Sequence, residues 1–596
     1  MNIYKKIILC LLLNSFILAQ CESYELGDAN ADNSLDILDV VIIVDVIFEQ
    51  ENLDDFYSLD INQDEILNVI DIVILLNRIL DIYPLEVNIT NIQYDFSNII
   101  VEWEQSTDYG FSKYNIFYSN FFDNEQVLLY TSEDITQTSV IISDINLKEQ
   151  NFFWITIEDF LGCELIGQQY LYELPYKNYL LDEFGSIVDT EFNINDFSSS
   201  TECIGCHQEY VEEWSGSMHA YTMQSPIFFA YKNENKNIHP STGEKFCMQC
   251  HNPISYLTGT DLSIYNNPND FQSSNIEQVL KEGITCDVCH TRTGLSQTVH
   301  GTGNMAANAI YRMYPTGNIK FGSIMNPVPN DYHDSYYLPT YESSQLCLPC
   351  HDLVINNIEA EITFTEWNRI PGFSMFGGVS CQDCHMPIKE NGKHDHRFVG
   401  VDLDLSIPIT ENPLYDDVAE LLSTSATIHF DILGDTIQNI INVGDTLQIP
   451  MSVISQTGHN FPSGTSFNRE AWIELKVMHD ENIIFSSGLI NNTENLDTND
   501  ENLLLFTSEL FDSSNNITNN ITEVYSMDNT TLMPYQTRFH YYNVLIPDNI
   551  SGNITVTARL LFRSFKPNFI SEHHPEFLNN LPIFEISSIT SNIEIQ

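Results

Sequence analysis

The chain has 596 residues, with 83 acidic side chains against 23 basic ones and a formal net charge of −60. That excess of carboxylates excludes nucleic acid as a partner, because phosphate binding needs clustered Lys and Arg, and it favours a cationic or metal-bearing one. The length admits several domains, each with its own core.

At the N-terminus Lys5 and Lys6 precede an apolar run from Ile7 to Ala19. A basic start and a short apolar stretch predict a secretory signal over residues 1–20, too short to span a bilayer. No later stretch is long and apolar enough for a transmembrane helix. Leu18-Ala19-Gln20-Cys21 resembles a bacterial lipoprotein box, although Gln stands where a small residue is usual. A lipid anchor at Cys21 and plain release after cleavage are both open. Without the signal, Cys21 and Cys163 are the only cysteines outside the motifs described below, so pairing with each other is a further alternative.

Residues 26–82 contain an internal duplication. Asp28, Asn30, Asp32, Ser34, Asp36 and Asp39 precede an apolar run Val40–Phe48, and Asp60, Asn62, Asp64, Ile66, Asn68 and Asp71 precede Ile72–Leu80. Oxygen side chains at loop positions 1, 3, 5, 9 and 12, with a backbone carbonyl at 7 from Ser34 or Ile66, suit calcium. Position 12 is Asp, and a single helix follows each loop; in this the pair resembles a dockerin. The resemblance implies two calcium ions and a cohesin-like partner. A metal-free acidic loop is the alternative.

Over 85–175 the pattern alternates, as in Ile99-Ile-Val101-Glu-Trp103 and Tyr114-Asn-Ile116-Phe-Tyr118. Short alternating strands separated by polar turns predict a β-sandwich, and the Trp103 and Tyr114 strands resemble fibronectin type III. Residues 176–200 read as a polar linker.

Residues 201–402 carry five copies of Cys-x-x-Cys-His: Cys203, Cys206 and His207; Cys247, Cys250 and His251; Cys286, Cys289 and His290; Cys347, Cys350 and His351; Cys381, Cys384 and His385. Two thiols on one turn can add to the two vinyl groups of a haem, and the adjacent imidazole then reaches the iron. Zinc ribbons, disulfides and thioredoxin-like pairs do not require a His after each second Cys. Five haem c groups are expected, with His207, His251, His290, His351 and His385 as proximal ligands. So many haems in so short a segment leave little apolar chain for an ordinary core, and only short helices are predicted. From 424 to 596 alternation returns, as in Ala471-Trp-Ile-Glu-Leu-Lys-Val477, and predicts a second β-sandwich.

The haem segment resembles the cytochrome c554 and octahaem tetrathionate reductase superfamily. The resembling stretches are Trp214-Ser-Gly-Ser-Met218-His219, Tyr332-His333 with Ser344-Gln-Leu-Cys347, and Cys384-His385-Met386-Pro387 with His394-Asp-His396. The resemblance implies distal ligands at His219, His333 and His396, with His394 as alternate to His396. His459, in the turn Gly458-His459-Asn-Phe-Pro462-Ser-Gly464, is the fourth candidate, since similar turns follow the haem segment in related cytochromes. An exposed turn His is its other reading. His239 and His300 compete for the fifth place. His429, His479, His540, His573 and His574 read as strand or surface residues.

The expected architecture is therefore multidomain: a small α dockerin-like calcium module, a β-sandwich, a haem-packed, mainly α and irregular cytochrome domain, and a C-terminal β-sandwich. The expected function is electron transfer through five haems by an exported protein, periplasmic or at the cell surface, with a redox protein or extracellular acceptor as partner. The alternative is a haem-based reductase or oxidase of a small nitrogen or sulfur compound at one five-coordinate iron, with Arg292, Tyr311, Arg312 and Lys320 lining an anion pocket. No Cys-x-x-Cys-Lys occurs, and five motifs are fewer than octahaem enzymes carry; both favour the carrier.

Overall fold

The computed structural model describes residues 20–21, 26–49, 58–80, 82, 85–120, 125–143, 145–182, 185–240, 243–294, 297–298, 309–374, 378–491 and 493–596. Residues 1–19 of the expected signal and His300 lie outside them. The chain forms two compact units, Met1–Pro175 and Tyr176–Gln596. Among the described residues no helix is long and apolar enough to cross a membrane.

In the first unit each acidic loop leads into a helix, Ile37–Glu49 and Val69–Ile79. Asn68 caps the second helix by accepting from Ile70 N, and Asp71 closes a capping box. The loops share a hydrogen-bond pattern. Asp28 accepts from Asp32 N and Asn33 N as Asp60 does from Asp64 N and Glu65 N, and Asp39 accepts from Asn30 N and Asp36 N as Asp71 does from Asn62 N and Asn68 N. The sixth position of each loop has a left-handed backbone, with φ of 64° at Asn33 and 66° at Glu65, where a calcium loop makes its sharp turn.

Two sheets follow. One joins Ile89–Tyr94, Asn98–Trp103 and Ser139–Ser143; the other joins Gln20–Cys21, Cys163–Ile166, Gln150–Asp159, Phe111–Asn120 and Val127–Ser132, with Tyr170–Glu173 also on Gln150–Asp159. Ile99, Val101 and Trp103 alternate inward, and Trp103 meets Tyr114 edge to face. The backbone of Cys21 is registered opposite Cys163, which is disulfide-bonded. Phe160 and Leu161 of this sandwich join the apolar cluster of the two helices, so the two modules share packing.

The second unit corrects the linker expectation for 176–200. This stretch carries strands Tyr179–Leu181 and Ile187–Thr190, and Phe192 and Phe197 are buried in one cluster with Phe229, Ile254, Leu257, Phe271 and Leu280 of the haem segment. The helices that carry the motifs vary in length, from sixteen residues in Ser200–Ser215 and nine in Gly243–His251 to five in both Cys286–His290 and Cys381–His385. The C-terminal region forms one sheet of Ala426–His429, Thr446–Ser455 and Thr537–Leu545, and a second of Ile440–Ile441, Phe584–Ile595, Gly552–Arg563, Glu470–His479 and Asn482–Ser487, with Leu505–Phe506 also paired to Glu470–His479. Its core begins before residue 424, because Leu403, Leu414, Val418 and Leu422 belong to it. Contacts tie it to the haem segment: Arg469 pairs with Asp402 at 2.7 Å, Tyr231 stacks on Phe569, and Phe467, Leu510 and Val524 pack with Ile355 and Ala360.

Candidate haem-binding site

Each Cys-x-x-Cys-His forms about one helical turn, so its two thiols share a face. Ser380 starts the last motif with a capping box to Asp383, and Ser199 does the same with Glu202 ahead of the first. The first motif sits in the helix Ser200–Ser215, which leaves helical geometry at His207.

Four motif imidazoles face a second imidazole. Ring centroids are 6.2 Å apart for His207 and His333, 6.4 Å for His351 and His219, 6.4 Å for His290 and His396, and 6.3 Å for His385 and His459. A metal–imidazole bond is about 2 Å and the centroid lies roughly 1.1 Å behind its nitrogen, so one ion between two imidazoles needs about 6.2 Å. The observed spacings fit a single iron between each pair. The facing rings are those of His333, His219, His396 and His459, four histidines singled out from the sequence.

Backbone carbonyls hold several of these rings. Nδ1 of His290 bonds Phe321 O at 2.8 Å, that of His385 bonds Val399 O at 2.7 Å, that of His396 bonds His394 O at 3.0 Å, and that of His459 bonds Asn460 O at 2.9 Å. A carbonyl only accepts, so Nδ1 carries the proton and Nε2 keeps its lone pair for a metal. Burial disfavours the imidazolium, holding His219 at about 3 and His385 and His396 at about 4. Neutral imidazole is the ligating form.

His251 differs. Its ring lies flat on Phe228, with centroids 4.3 Å apart and planes 22° apart, and among the described residues no second imidazole pairs with it. Its Nδ1 is buried without a hydrogen-bond partner. His239 caps the helix Pro226–Ile238, with Nε2 buried and unpartnered. Of His396 and its alternate His394, it is the His396 ring that faces His290, while His394 Nδ1 bonds Met386 O at 2.6 Å.

The ten motif cysteines are free thiols, and six of them meet in three pairs across motifs. Cys286 donates to Cys203, Cys250 to Cys350 and Cys347 to Cys381; these bonds lower the accepting thiols Cys203, Cys350 and Cys381 below the usual cysteine range. The contacts link the first motif to the third, and the fourth to both the second and the fifth. Thioether edges built on these sulfurs would lie side by side.

The four side chains considered for an anion pocket are engaged elsewhere among the described residues. Lys320 pairs with Asp287 at 2.7 Å, and Arg312 lies over the ring of Tyr176. Arg292 is buried with Nε on Val288 O and its guanidinium over Tyr311, whose hydroxyl bonds Gln249 O at 2.6 Å. These groups are spent on the fold.

Two buried carboxylates escaped sequence reasoning. Glu361 Oε1 lies 4.0 Å from His351 Nδ1, and burial pushes its carboxyl up to about 8. Glu366 accepts from Asn460 N at 3.0 Å and Ser463 Oγ at 2.6 Å. Single glutamates in a polar stretch carry no pattern that marks them.

In the acidic loops, Asp39 and Asp71 are fully buried. Among the described residues no cluster of three or more His, Cys, Asp or Glu could hold a metal ion alone. A cation in either loop would therefore depend on Asn and backbone oxygens as well as carboxylates.

Residues 202–291, which span the first three motifs, match the family described as cytochrome c554 and c-prime. No curated protein matches the chain. Among solved structures, a penta-heme cytochrome c552 from Thermochromatium tepidum is similar at 19% identity over 67% of this chain and 99% of its own, with a TM-score of 0.48. An Fn3-like protein from Clostridium thermocellum is similar at 15% identity over 15% of this chain and 94% of its own, TM-score 0.13. The sixth fibronectin type III domain of human fibronectin type III domain containing protein 3 is similar at 11% identity over 16% of this chain and 87% of its own, TM-score 0.14. The family match on the motif-bearing segment, together with the motifs, supports a multihaem c-type cytochrome as the class of this chain.

Proposed function

We propose that this chain is an exported electron carrier that holds five haem c groups on its ten motif cysteines. The observation that carries the reading is the common spacing of the four imidazole pairs, 6.2–6.4 Å. Haem held there supplies one-electron redox chemistry with little rearrangement at a bis-imidazole iron. The chain's own part is to fix both axial imidazoles in their neutral tautomer, bury them, and set the attachment edges against one another. The sulfur contacts make the fourth motif the junction of the second and fifth. The partner is a redox protein or an extracellular acceptor, and the net charge of −60 favours a cationic or metal-bearing one. The test is the mass and redox titration of the mature protein made by a haem-attaching host. Five added haems and reversible reduction over a broad potential range are expected; a colourless product, or fewer than five groups, refutes it.

One observation favours a second reading, a catalytic or ligand-binding iron at His251, because a phenyl ring and not an imidazole lies beside it. Carbon monoxide added to the reduced protein would bind about one haem in five. Turnover of hydroxylamine, nitrite or tetrathionate would make the chain an enzyme, and five fully low-spin haems would remove the reading. His300 and His239 stay candidates for that sixth position.

The acidic loops are proposed to hold two calcium ions through Asp28, Asn30, Asp32, Ser34 O, Asp36 and Asp39, and through Asp60, Asn62, Asp64, Ile66 O, Asn68 and Asp71. A docking partner of the cohesin type is proposed on the helix faces, since Ile37, Val41 and Phe48 are exposed at the same repeat positions as Val69, Val73 and Leu80. Calcium-dependent capture of a cohesin tests it; capture unchanged by chelation counts against it. Lipid at Cys21 competes with its pairing to Cys163, and the mass of the mature N-terminal peptide separates the two.

A further inference from the structure

The turn that carries His459 belongs to the C-terminal β-region, yet the imidazole faces His385 of the fifth motif. A ligand delivered from another region must be held against the motif by something other than chain continuity. The helix Thr363–Asn368, which belongs to the haem segment, does this at two points. Glu366, 8% exposed, accepts from Asn460 N at 3.0 Å and from Ser463 Oγ at 2.6 Å. Thr363 Oγ1 lies 2.8 Å from the same Ser463 hydroxyl.

The geometry at Asn460 shows how the carboxylate reaches the imidazole. The N–H of Asn460 donates to Glu366, and the carbonyl of Asn460 takes Nδ1 of His459 at 2.9 Å. One residue thus joins carboxylate and ring, so moving the carboxylate turns the imidazole about its second-shell hydrogen bond. Arg369, on the same stretch of chain, makes its ion pair with Glu359 at 2.7 Å, and the hydrogen bonds Glu366 accepts come from the turn. Asp402 and Arg469 brace the far end, since Arg469 Nε donates to Ser463 O at 3.0 Å while its guanidinium pairs with Asp402. A buried charged acceptor with two donors from one turn is a stronger hold than a neutral contact.

We propose that Glu366 is the positioning residue that seats His459 on the iron of the fifth motif, so that one carboxylate of the haem segment decides whether that haem has its sixth ligand. The proposal rests on the reading of His459 as that ligand. It gives the C-terminal region a part in redox chemistry and not merely in spacing.

The experiment uses the full haem-loaded chain with the variants His459→Ala, Glu366→Ala and Glu366→Gln. Haem count is read by mass, and spin state by electron paramagnetic resonance and absorbance. All three variants are expected to keep five haems. His459→Ala converts about one haem in five from low to high spin. Glu366→Ala gives the same conversion in part or whole, reversed by millimolar imidazole, while Glu366→Gln, which still offers an oxygen acceptor, stays low-spin. If His459→Ala leaves every haem low-spin, the ligand reading and the proposal fall together. If His459→Ala converts a haem and Glu366→Ala does not, the proposal alone falls. Loss of haem from Glu366→Ala, or a Glu366→Ala spectrum that imidazole leaves unchanged, also overturns it.

Discussion

The C-terminal sandwich and the haem segment belong to one compact unit but are built on opposite principles. In the sandwich, Leu447, Ile449, Met451 and Val453 face inward on one strand and Ile473, Leu475 and Val477 on another, all fully buried. Its order comes from period-two burial between paired sheets. The haem segment holds its third and fifth motifs on helices of about one turn, below the length at which a helix stands alone in water. They are fixed from outside. Asn252 donates to Leu280 O at 2.6 Å, Gln382 donates to Ser343 O at 2.8 Å, and Glu282 takes the hydroxyls of Ser199, Ser200 and Thr285. A periodic core tolerates the loss of any one contact, whereas a set of one-turn helices depends on whatever joins them. In this segment the joints are the motif cysteines, and their thioethers are expected to carry the stability.

The sharpest way to break that comparison is to remove one joint. Cys347→Ala with Cys350→Ala deletes the motif that touches both the second and fifth. The expected result is loss of most of the ~5–15 kcal/mol that stabilises a domain, read as protease cleavage within 201–402 and fewer than four haems retained. Residues 26–175 should stay resistant to cleavage. A variant with four haems and wild-type resistance would show that the segment folds without its joints. The control on the sandwich side is Leu475→Ala. Cavity formation at a fully buried leucine costs roughly 2–5 kcal/mol, so the melting temperature of the second unit falls while haem number and spin state stay unchanged.

What could be read from sequence follows the same division. Alternation in Ile473–Val477 or Ile99–Trp103 announces a strand because the buried face recurs every second residue. The motifs announce haem because their chemistry is local. His219, His333 and His459 came from the resemblance to related cytochromes and not from pattern alone, and each ring lies opposite a motif imidazole. The preference for His396 over its alternate His394 came from the same resemblance, and it is the His396 ring that faces His290. Not legible was Phe228, one phenylalanine among 35, which meets His251 only through tertiary packing. Phe192 and Phe197 are isolated apolar residues in a polar stretch, so their burial could not be separated from a linker by periodicity.

In the first unit the comparison extends to charge. Asp159, at the end of a sandwich strand, accepts from Leu161 N and Cys163 N, and burial together with Asp108 raises its carboxyl to about 6 against the opposing pull of those amides and Arg78. A raised folded value gives stability that is fully present below the unfolded value near 3.8 and is lost as pH rises through about 6. The first unit should therefore melt lower at pH 7 than at pH 4 by at most about 3 kcal/mol. Asp159→Asn should flatten that difference, because the amide oxygen still accepts while the charge is gone. An unchanged pH profile in the variant would place the dependence elsewhere.

The smallest expected effect concerns the two loops, which sharpen the contrast between order fixed by pattern and order fixed by a bound group. Both already close through their own side-chain-to-backbone bonds, with Asp71 accepting from Ile61 N at 2.9 Å and Asn68 N at 2.8 Å, and Asp39 from Asn30 N at 3.3 Å and Asp36 N at 2.8 Å. A pre-shaped loop spends little of its binding energy on ordering. Calcium should thus bind both loops with similar affinity despite Ser34 in one and Ile66 in the other, because position 7 contributes only its backbone carbonyl. Asp71→Asn should weaken the second site by about tenfold, or ~1.4 kcal/mol, and leave the first unchanged in calorimetric titration. Equal weakening of both sites would mean that the loops bind as one cooperative pair, and heat for neither would mean that their hydrogen bonds are the whole of their function.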